Sequence, residues 1–322
     1  MPKRPAPKKR APRVARRRPR PNYALRRAAA VLALLLAGLA AYVALGRSDA
    51  ADAPEWGIPQ LTTRPVSRGL DAPAPDAVKI GEATDDTWKT IAEQDPSPSL
   101  AVPGETYDYG RRIALTFDDG PDPNVTPAIL DVLREHHLKA TFFVLGYKAA
   151  RNPQILRRIV QEGHTLGNHT YDHANLADLS VRQMREEMTS TQEAVDRALG
   201  YHYPMTLMRP PYGAPYLSDQ HMLPLFQRVM EEQRAYPVMW TVDSRDWELD
   251  GHVASVAGNV RASTSKEGGV ILLHDTHEST AEALPQIITQ YAAAGFSFTT
   301  VREMLADKYG VEPDSIQPTP GG

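Results

Sequence analysis

From residue 111 onward, short apolar runs of strand character alternate with amphipathic helical segments, and no other feature limits the fold so strongly. The apolar runs are 113–117, 140–145, 165–168, 206–209, 237–242, 270–273 and 297–301. The helical segments are 126–136, 153–162, 180–199, 224–233, 253–263, 282–294 and 301–308. A strand, a crossover helix and a further strand build a parallel sheet covered by helices. About seven such units in roughly 200 residues predict an α/β fold, a distorted (β/α)7-type barrel resembling a TIM barrel with too few repeats.

In barrels of this kind reactive groups sit at the C-terminal ends of strands. Asp118 and Asp119 follow the first run, and His169 and His173 follow the third. Arg209-Pro210-Pro211-Tyr212-Gly213 follows the fourth, Asp243-Ser244-Arg245-Asp246-Trp247 the fifth, and His274-Asp275 the sixth. The His-x-x-x-His spacing would put both imidazoles on one face of a helix, within reach of one ion. Two His and one Asp make three protein ligands and leave a divalent metal one open position, the build of a catalytic zinc site. The other Asp then stands beside the metal as a base. Two adjacent carboxylates are poorly placed for glycoside hydrolysis, which needs acids about 5–9 Å apart across the bond.

Together these segments resemble the polysaccharide deacetylase family, the fourth carbohydrate esterase family with the NodB-homology fold. Thr116-Phe117-Asp118-Asp119-Gly120 is similar to its first motif and His169-Thr170-x-x-His173 to its second. Arg209-x-Pro211-Tyr212, Asp243-x-x-Asp246-Trp247 and Leu272-x-His274-Asp275 are similar to the third, fourth and fifth. The resemblance runs from about Arg112 to Leu305. It implies Asp119, His169 and His173 as metal ligands, Asp118 as general base and His274 as general acid. Arg209 would orient Asp118, and Asp246 would hold and tune His274. The Tyr212 N–H would help hold the oxyanion, while Trp247 and Leu272 would form an apolar wall for the acetyl methyl. The metal would be Zn2+ in the first place, with Co2+, Ni2+ or Mn2+ able to fill the same set.

The rest of the chain reads as attachment. Residues 1–27 carry 12 of the 36 Lys and Arg and no acid, which leaves 24 basic against 39 acidic side chains beyond them. Residues 28–46 are uncharged and rich in Leu, Ala and Val. At 1.5 Å per residue they span about 28 Å, the hydrocarbon thickness of a bilayer. Basic residues on one flank predict a cytoplasmic tail at 1–27, a transmembrane anchor at 28–46 and the bulk of the chain across the membrane. A cleaved signal and secretion is the competing reading. The Pro-rich stretch 47–108 is expected to be an extracytoplasmic linker with a short helix near 86–93, the deacetylase domain to run over 109–309, and 310–322 to be a flexible tail. Beside an apolar span the basic tail fits lipid head groups better than nucleic acid. The chain has no Cys, so disulfides and thiolate metal sites are excluded.

The expected function is metal-dependent N-deacetylation of N-acetylhexosamines in a cell-envelope polysaccharide, most of all peptidoglycan, releasing acetate. The partners would be that N-acetylated glycan and the cytoplasmic membrane, with a monomer assumed. Alternatives are a chitooligosaccharide or exopolysaccharide deacetylase, an acetyl-xylan-type O-deacetylase, and a glycan-binding protein without turnover. Presence of Asp118, Asp119, His169, His173 and His274 together argues against the last.

Overall fold

The computed structural model describes residues 80–249 and 251–317. All strand pairings are parallel. The strands are β1 (Arg112–Asp118), β2 (Thr141–Val144), β3 (Thr165–Asn168), β4 (Leu207–Met208), β5 (Tyr236–Pro237), β6 (Val242–Asp243), β7 (Gly268–His274) and β8 (Ser297–Thr299). Their order is β5-β4-β3-β2-β1-β7-β6, with β8 paired to the first half of β1. The two ends of this order are consecutive in the chain, since the run 236–243 holds both β5 and β6. The sheet is therefore curled, consistent with a (β/α)7 barrel. The expected single run 237–242 divides because its first part pairs with Leu207 and Met208 and its last part with Ile271 and Leu272.

Helices cover the outside: α1 (Ile80–Gln94), α2 (Thr126–Glu135), α3 (Gly146–Arg151), α4 (Pro153–Gln161), α5 (Val181–Leu199), α6 (Leu223–Gln233), α7 (Val253–Ser263), α8 (Glu278–Ala293), α9 (Val301–Tyr309) and α10 (Pro313–Ile316). Capping boxes start α5 at Ser180 and Gln183 and α9 at Thr300 and Glu303. Each satisfies backbone N–H groups that a helix start leaves unpaired. Gly200, at φ +87, ends α5 in the left-handed conformation that glycine adopts without steric cost.

Alternation along the strands decides which side chains face inward. On β1, Ile113, Leu115 and Phe117 join the outer core with Ile129 and Leu133 of α2 and with Leu284 and Ile287 of α8. Ala114 belongs to a second cluster with Phe143, Leu207 and Val270, which α1 and α9 complete through Trp88, Ile91, Val301, Met304 and Leu305. The same alternation carries Thr116 and Asp118 to the inner side behind Ala114. Gly167 leaves room for Phe143, because a Cβ there would lie 2.5 Å from its ring.

The described parts of two expected attachments contribute to the interior. Within 47–108, α1 is longer than the short helix expected, and Trp88, Ile91 and Leu100 are buried. Leu100 extends the sheet edge, donating its N–H to Pro237 O and accepting from Met239 N. Near the C-terminus, Ile316 and Gln317 are buried. The Gln317 amide donates to Leu166 O and accepts from Thr206 and Leu207 N–H, satisfying strand-end groups that proline-rich composition does not reveal. The expected anchor at 28–46 and basic tail lie outside the described residues. Among the described residues no helix is long and apolar enough to cross a membrane.

Candidate active site

Asp118 ends β1 facing inward, with a side chain only 4% exposed. The guanidinium of Arg209, fully buried, reaches it from the end of β4: Nη1 donates to Asp118 Oδ1 at 2.8 Å and to Thr116 Oγ1 at 2.8 Å. Its other nitrogens donate to Val238 O at 3.0 Å and Met239 O at 2.9 Å, in the stretch between β5 and β6. The Phe143 ring lies 4.3 Å from Arg209 Cζ. A buried ion pair of this kind holds only when its other polar groups find partners, and each of the three guanidinium nitrogens has at least one acceptor.

Asp119, His169 and His173 form the only cluster of three or more His or acidic groups, among the described residues, with ligand atoms close enough to share a metal; these lie within 4.8 Å of one another. Asp119 Oδ1 is 3.3 Å from His169 Nε2 and 3.2 Å from His173 Nε2. The imidazoles are not on a helix: residues 169–173 form a loop in which Thr170 and His173 have φ of +68 and +70. What holds the loop is a set of side-chain contacts to its backbone. Asn168 Oδ1 accepts from Thr170 N–H, Thr170 Oγ1 from His173 N–H, and Glu187 Oε2 from Tyr171 N–H. The reach that helical spacing suggested is achieved by this turn instead.

The donor set fits a divalent cation. His169 Nδ1 lies 2.7 Å from Arg209 O. A carbonyl only accepts, so Nδ1 carries a proton and Nε2 is the nitrogen that faces Asp119. Asp119 Oδ1 is buried and has no hydrogen-bond partner. A carboxylate oxygen and two imidazole nitrogens that approach to 3.2–3.3 Å suit a shared positive centre, which a divalent cation supplies. The carbonyl behind His169 is the outer contact that orients histidine ligands in metal sites.

On the other side of the mouth, His274 ends β7. Its Nδ1 is 2.7 Å from Asp246 Oδ1. Asp246 is fully buried, and its carboxylate also accepts from His274 N–H, Trp247 N–H and Thr280 Oγ1. Burial pushes His274 down, but the hydrogen bond and charge of Asp246, aided by Asp118 and Asp119, outweigh it and raise the imidazole to about 9. His277 stands one ring away, with centroids 6.1 Å apart, and is not part of the metal cluster.

Asp118, Asp119, His169, His173, Tyr212, Trp247, Leu272 and His274 line one cleft of about 510 Å³. Arg209 and Asp246 are buried behind it. Tyr212 and Trp247 are 65% and 54% exposed, a large amount of aromatic surface for rings at a cleft mouth. Tyr212 has φ +58, so its side chain is carried on a left-handed residue at the end of the Pro210-Pro211 turn. Two lining residues, Leu217 and Trp240, were not expected, and Pro210 and Asp243 belong to strand-end segments that were expected but had no role of their own. Trp240 sits inside an apolar strand run, where an aromatic reads as core. Its position three residues before Asp243 on the run leading to a strand end was the available signal. Tyr203 is in the core, with its hydroxyl accepting from Leu166 N–H.

A family model described as polysaccharide deacetylase matches residues 107–223. The chain is 36% identical over 238 residues to the peptidoglycan-N-acetylglucosamine deacetylase PgdA of Listeria monocytogenes, a match covering 74% of this chain and 48% of that protein. It thus spans about half the length of that relative. A peptidoglycan-N-acetylglucosamine deacetylase of Bacillus cereus is 41% identical over 197 residues, 60% of this chain and 68% of the relative. The fold is similar to the crystal structure of a peptidoglycan N-acetylglucosamine deacetylase in complex with 4-naphthalen-1-yl-N-oxidanyl-benzamide. That likeness has a TM-score of 0.56 and 37% identity, and covers 65% of this chain and 92% of the other. At this identity and coverage, the chain belongs to the polysaccharide deacetylase family.

Proposed function

We propose that this protein hydrolyses the N-acetyl groups of N-acetylhexosamine residues in peptidoglycan, releasing acetate and leaving free amines. The observation that carries this reading is the pair of dyads, Asp118–Arg209 and His274–Asp246, whose Asp118 and His274 open onto the same cleft as the Asp119, His169 and His173 cluster. Amide hydrolysis needs a base at the start and an acid at the end, and these dyads supply one of each.

A divalent cation held by Asp119, His169 and His173, zinc in the first place, supplies Lewis acidity toward the acetyl carbonyl and the attacking water. Asp118, oriented by Arg209, takes the water proton. Arg209 occupies Asp118 Oδ1, which leaves Oδ2 for that transfer. The N–H of Tyr212 donates to the oxygen that becomes negative, and one such preorganised donor is worth about 3–4 kcal/mol. His274 arrives charged and gives its Nε2 proton to the departing amine, since Nδ1 is tied to Asp246. Trp247 and Leu272 pack around the acetyl methyl. Peptidoglycan is favoured by the names of the two relatives and by the reading of 28–46 as an anchor with the catalytic domain outside the cytoplasmic membrane.

The test is acetate release by the full chain, supplied with zinc, from peptidoglycan and from an N-acetylglucosamine oligomer, each with and without a chelator. Chelator-sensitive release, greater from peptidoglycan, is the expected result. Release from the oligomer alone would move the substrate to chitooligosaccharides, and no release from either would sink the activity.

A further inference from the structure

Asp275 follows the acid His274 but has no part in the chemistry above. It is 1% exposed and does not line the cleft. Its Oδ2 accepts from Thr126 Oγ1 at 2.6 Å, and the same hydroxyl accepts from Asp122 N–H at 2.7 Å. Its Oδ1 is buried without a hydrogen-bond partner. Its backbone N–H donates to Asp118 O at 3.2 Å. The carboxyl bears directly on Gly120: a Cβ on that residue would lie 2.0 Å from Oδ2 and 2.3 Å from Oδ1.

Only Gly120 and Pro121 separate Asp119 from Asp122, so this carboxyl touches the turn at its centre and, through Thr126, at its far end. Asp119 itself has φ +74. A non-glycine residue in that region costs on the order of 1–3 kcal/mol and persists only when its surroundings hold it there. The other restraints are modest: Leu145 N–H to Gly120 O at 3.0 Å and Asn152 Nδ2 to Pro121 O at 3.1 Å. Burying an acid with one oxygen unpaired is itself unfavourable. An apolar residue would fill the space without that cost, but it would not hold Thr126.

We propose that Asp275 is a positioning residue for the cation site: its buried carboxyl wedges the 119–122 turn so that Asp119 keeps the backbone conformation that aims Oδ1 at His169 and His173. The inference rests on the reading of Asp119 as a metal ligand. It also accounts for glycine at 120, since any side chain there would occupy the place of the carboxyl.

The experiment measures zinc affinity of the full chain by chelator competition, alongside kcat and KM for acetate release, in wild type, Asp275→Ala, Asp275→Asn and Thr126→Val. Asp275→Ala is expected to weaken zinc binding by roughly 10–100-fold, the range for contacts behind metal ligands, and to lower kcat with KM unchanged. Asp275→Asn keeps the shape and the acceptor oxygen and should restore most of the affinity. Thr126→Val should lose affinity in the same direction by less. Wild-type zinc affinity in a folded Asp275→Ala chain overturns the proposal, as does an Asn variant that fails as the Ala variant does. If Asp275→Ala does not fold, unchanged zinc affinity in Thr126→Val overturns it. A wild-type chain that binds zinc yet releases no acetate sinks the deacetylase reading alone, because the zinc comparison still decides on Asp275.

Discussion

Asp118 and His274 are register partners on adjacent parallel strands, β1 and β7, and both line the same cleft. They are the last of seven residue pairs in register, which begin with Arg112 opposite Gly268. The spacing between Asp118 and His274, the proposed base and acid, is therefore set by a backbone ladder in the core of the sheet and not by loops. Sites carried on regular elements hold their geometry more tightly than sites on loops. The candidate cation site differs in this respect, because His169 and His173 lie on a loop held by Asn168, Thr170 and Glu187.

Asp118→Asn preserves shape and removes the base. Acetate release should fall by roughly 10²–10⁴-fold, the usual contribution of a positioned acid or base, while zinc content stays that of wild type. His169→Ala should show the opposite order of causes, with loss of zinc on dialysis preceding any loss of rate. Assays of acetate and of bound metal on both variants check this. A near-normal rate in Asp118→Asn would remove it from the role.

The alkaline limb of the rate profile should report His274. The acid must be protonated, so kcat should decline as pH rises through about 9, the value to which Asp246 and the nearby carboxylates raise the ring. Asp246→Asn removes the largest opposing influence and leaves burial, which favours the neutral ring. The limb should then move to lower pH by more than one unit. A pH–rate profile with its limb unmoved would show that Asp246 does not tune the acid.

Replacing Arg209 with Met should destabilise the domain as well as inactivate it. The guanidinium is fully buried and makes four hydrogen bonds. Its loss leaves Asp118 as an unpaired buried charge, a change that costs about 3–5 kcal/mol. Denaturant midpoints compared at constant slope measure this, and a midpoint within error of wild type would contradict it.

Acid stability should depend on His164. Its Nδ1 accepts from Ala140 N–H at 3.1 Å, which requires an unprotonated nitrogen. Burial, with Lys139 and Arg158 nearby, lowers it to about 3. The folded ring thus binds its proton less readily than the unfolded one, with its ordinary value of about 6.5. The contribution is complete above about pH 6.5 and is lost as pH falls toward about 3. Urea midpoints for His164→Gln should fall less steeply over that window than those of wild type, and equal slopes would assign the acid sensitivity elsewhere.

How far the molecule was legible from its sequence follows from how local each signal is. The run 165–168 became β3 and 253–263 became α7 with the same bounds, because burial on both faces and helical periodicity are written in consecutive residues. Strand-end placement of Asp118, His169, Arg209, Asp246 and His274 followed from the same alternation. What was not legible depends on distant partners. Thr280, just outside the expected helix 282–294, and Thr116, in the first motif, were given no role of their own, yet they contact the Asp246 carboxylate and the Arg209 guanidinium. The loop at 169–173 has helical spacing without a helix, because its hydrogen bonds come from Asn168 and from Glu187 on α5. Gln317 and Trp88 sit in stretches whose composition resembles linker and tail, and only the surfaces they meet draw them inward.

Arg209 joins two tasks in one side chain. The guanidinium that directs Asp118 is also what grips Val238 and Met239, where the chain passes from one end of the sheet to the other. Until that passage is in place, two of its four hydrogen bonds are missing and the carboxylate has no fixed direction. Catalytic competence would accordingly require that passage to be in place. A molecule with its sheet unclosed would carry every reactive group and still be inert, which makes turnover itself a reporter of complete folding.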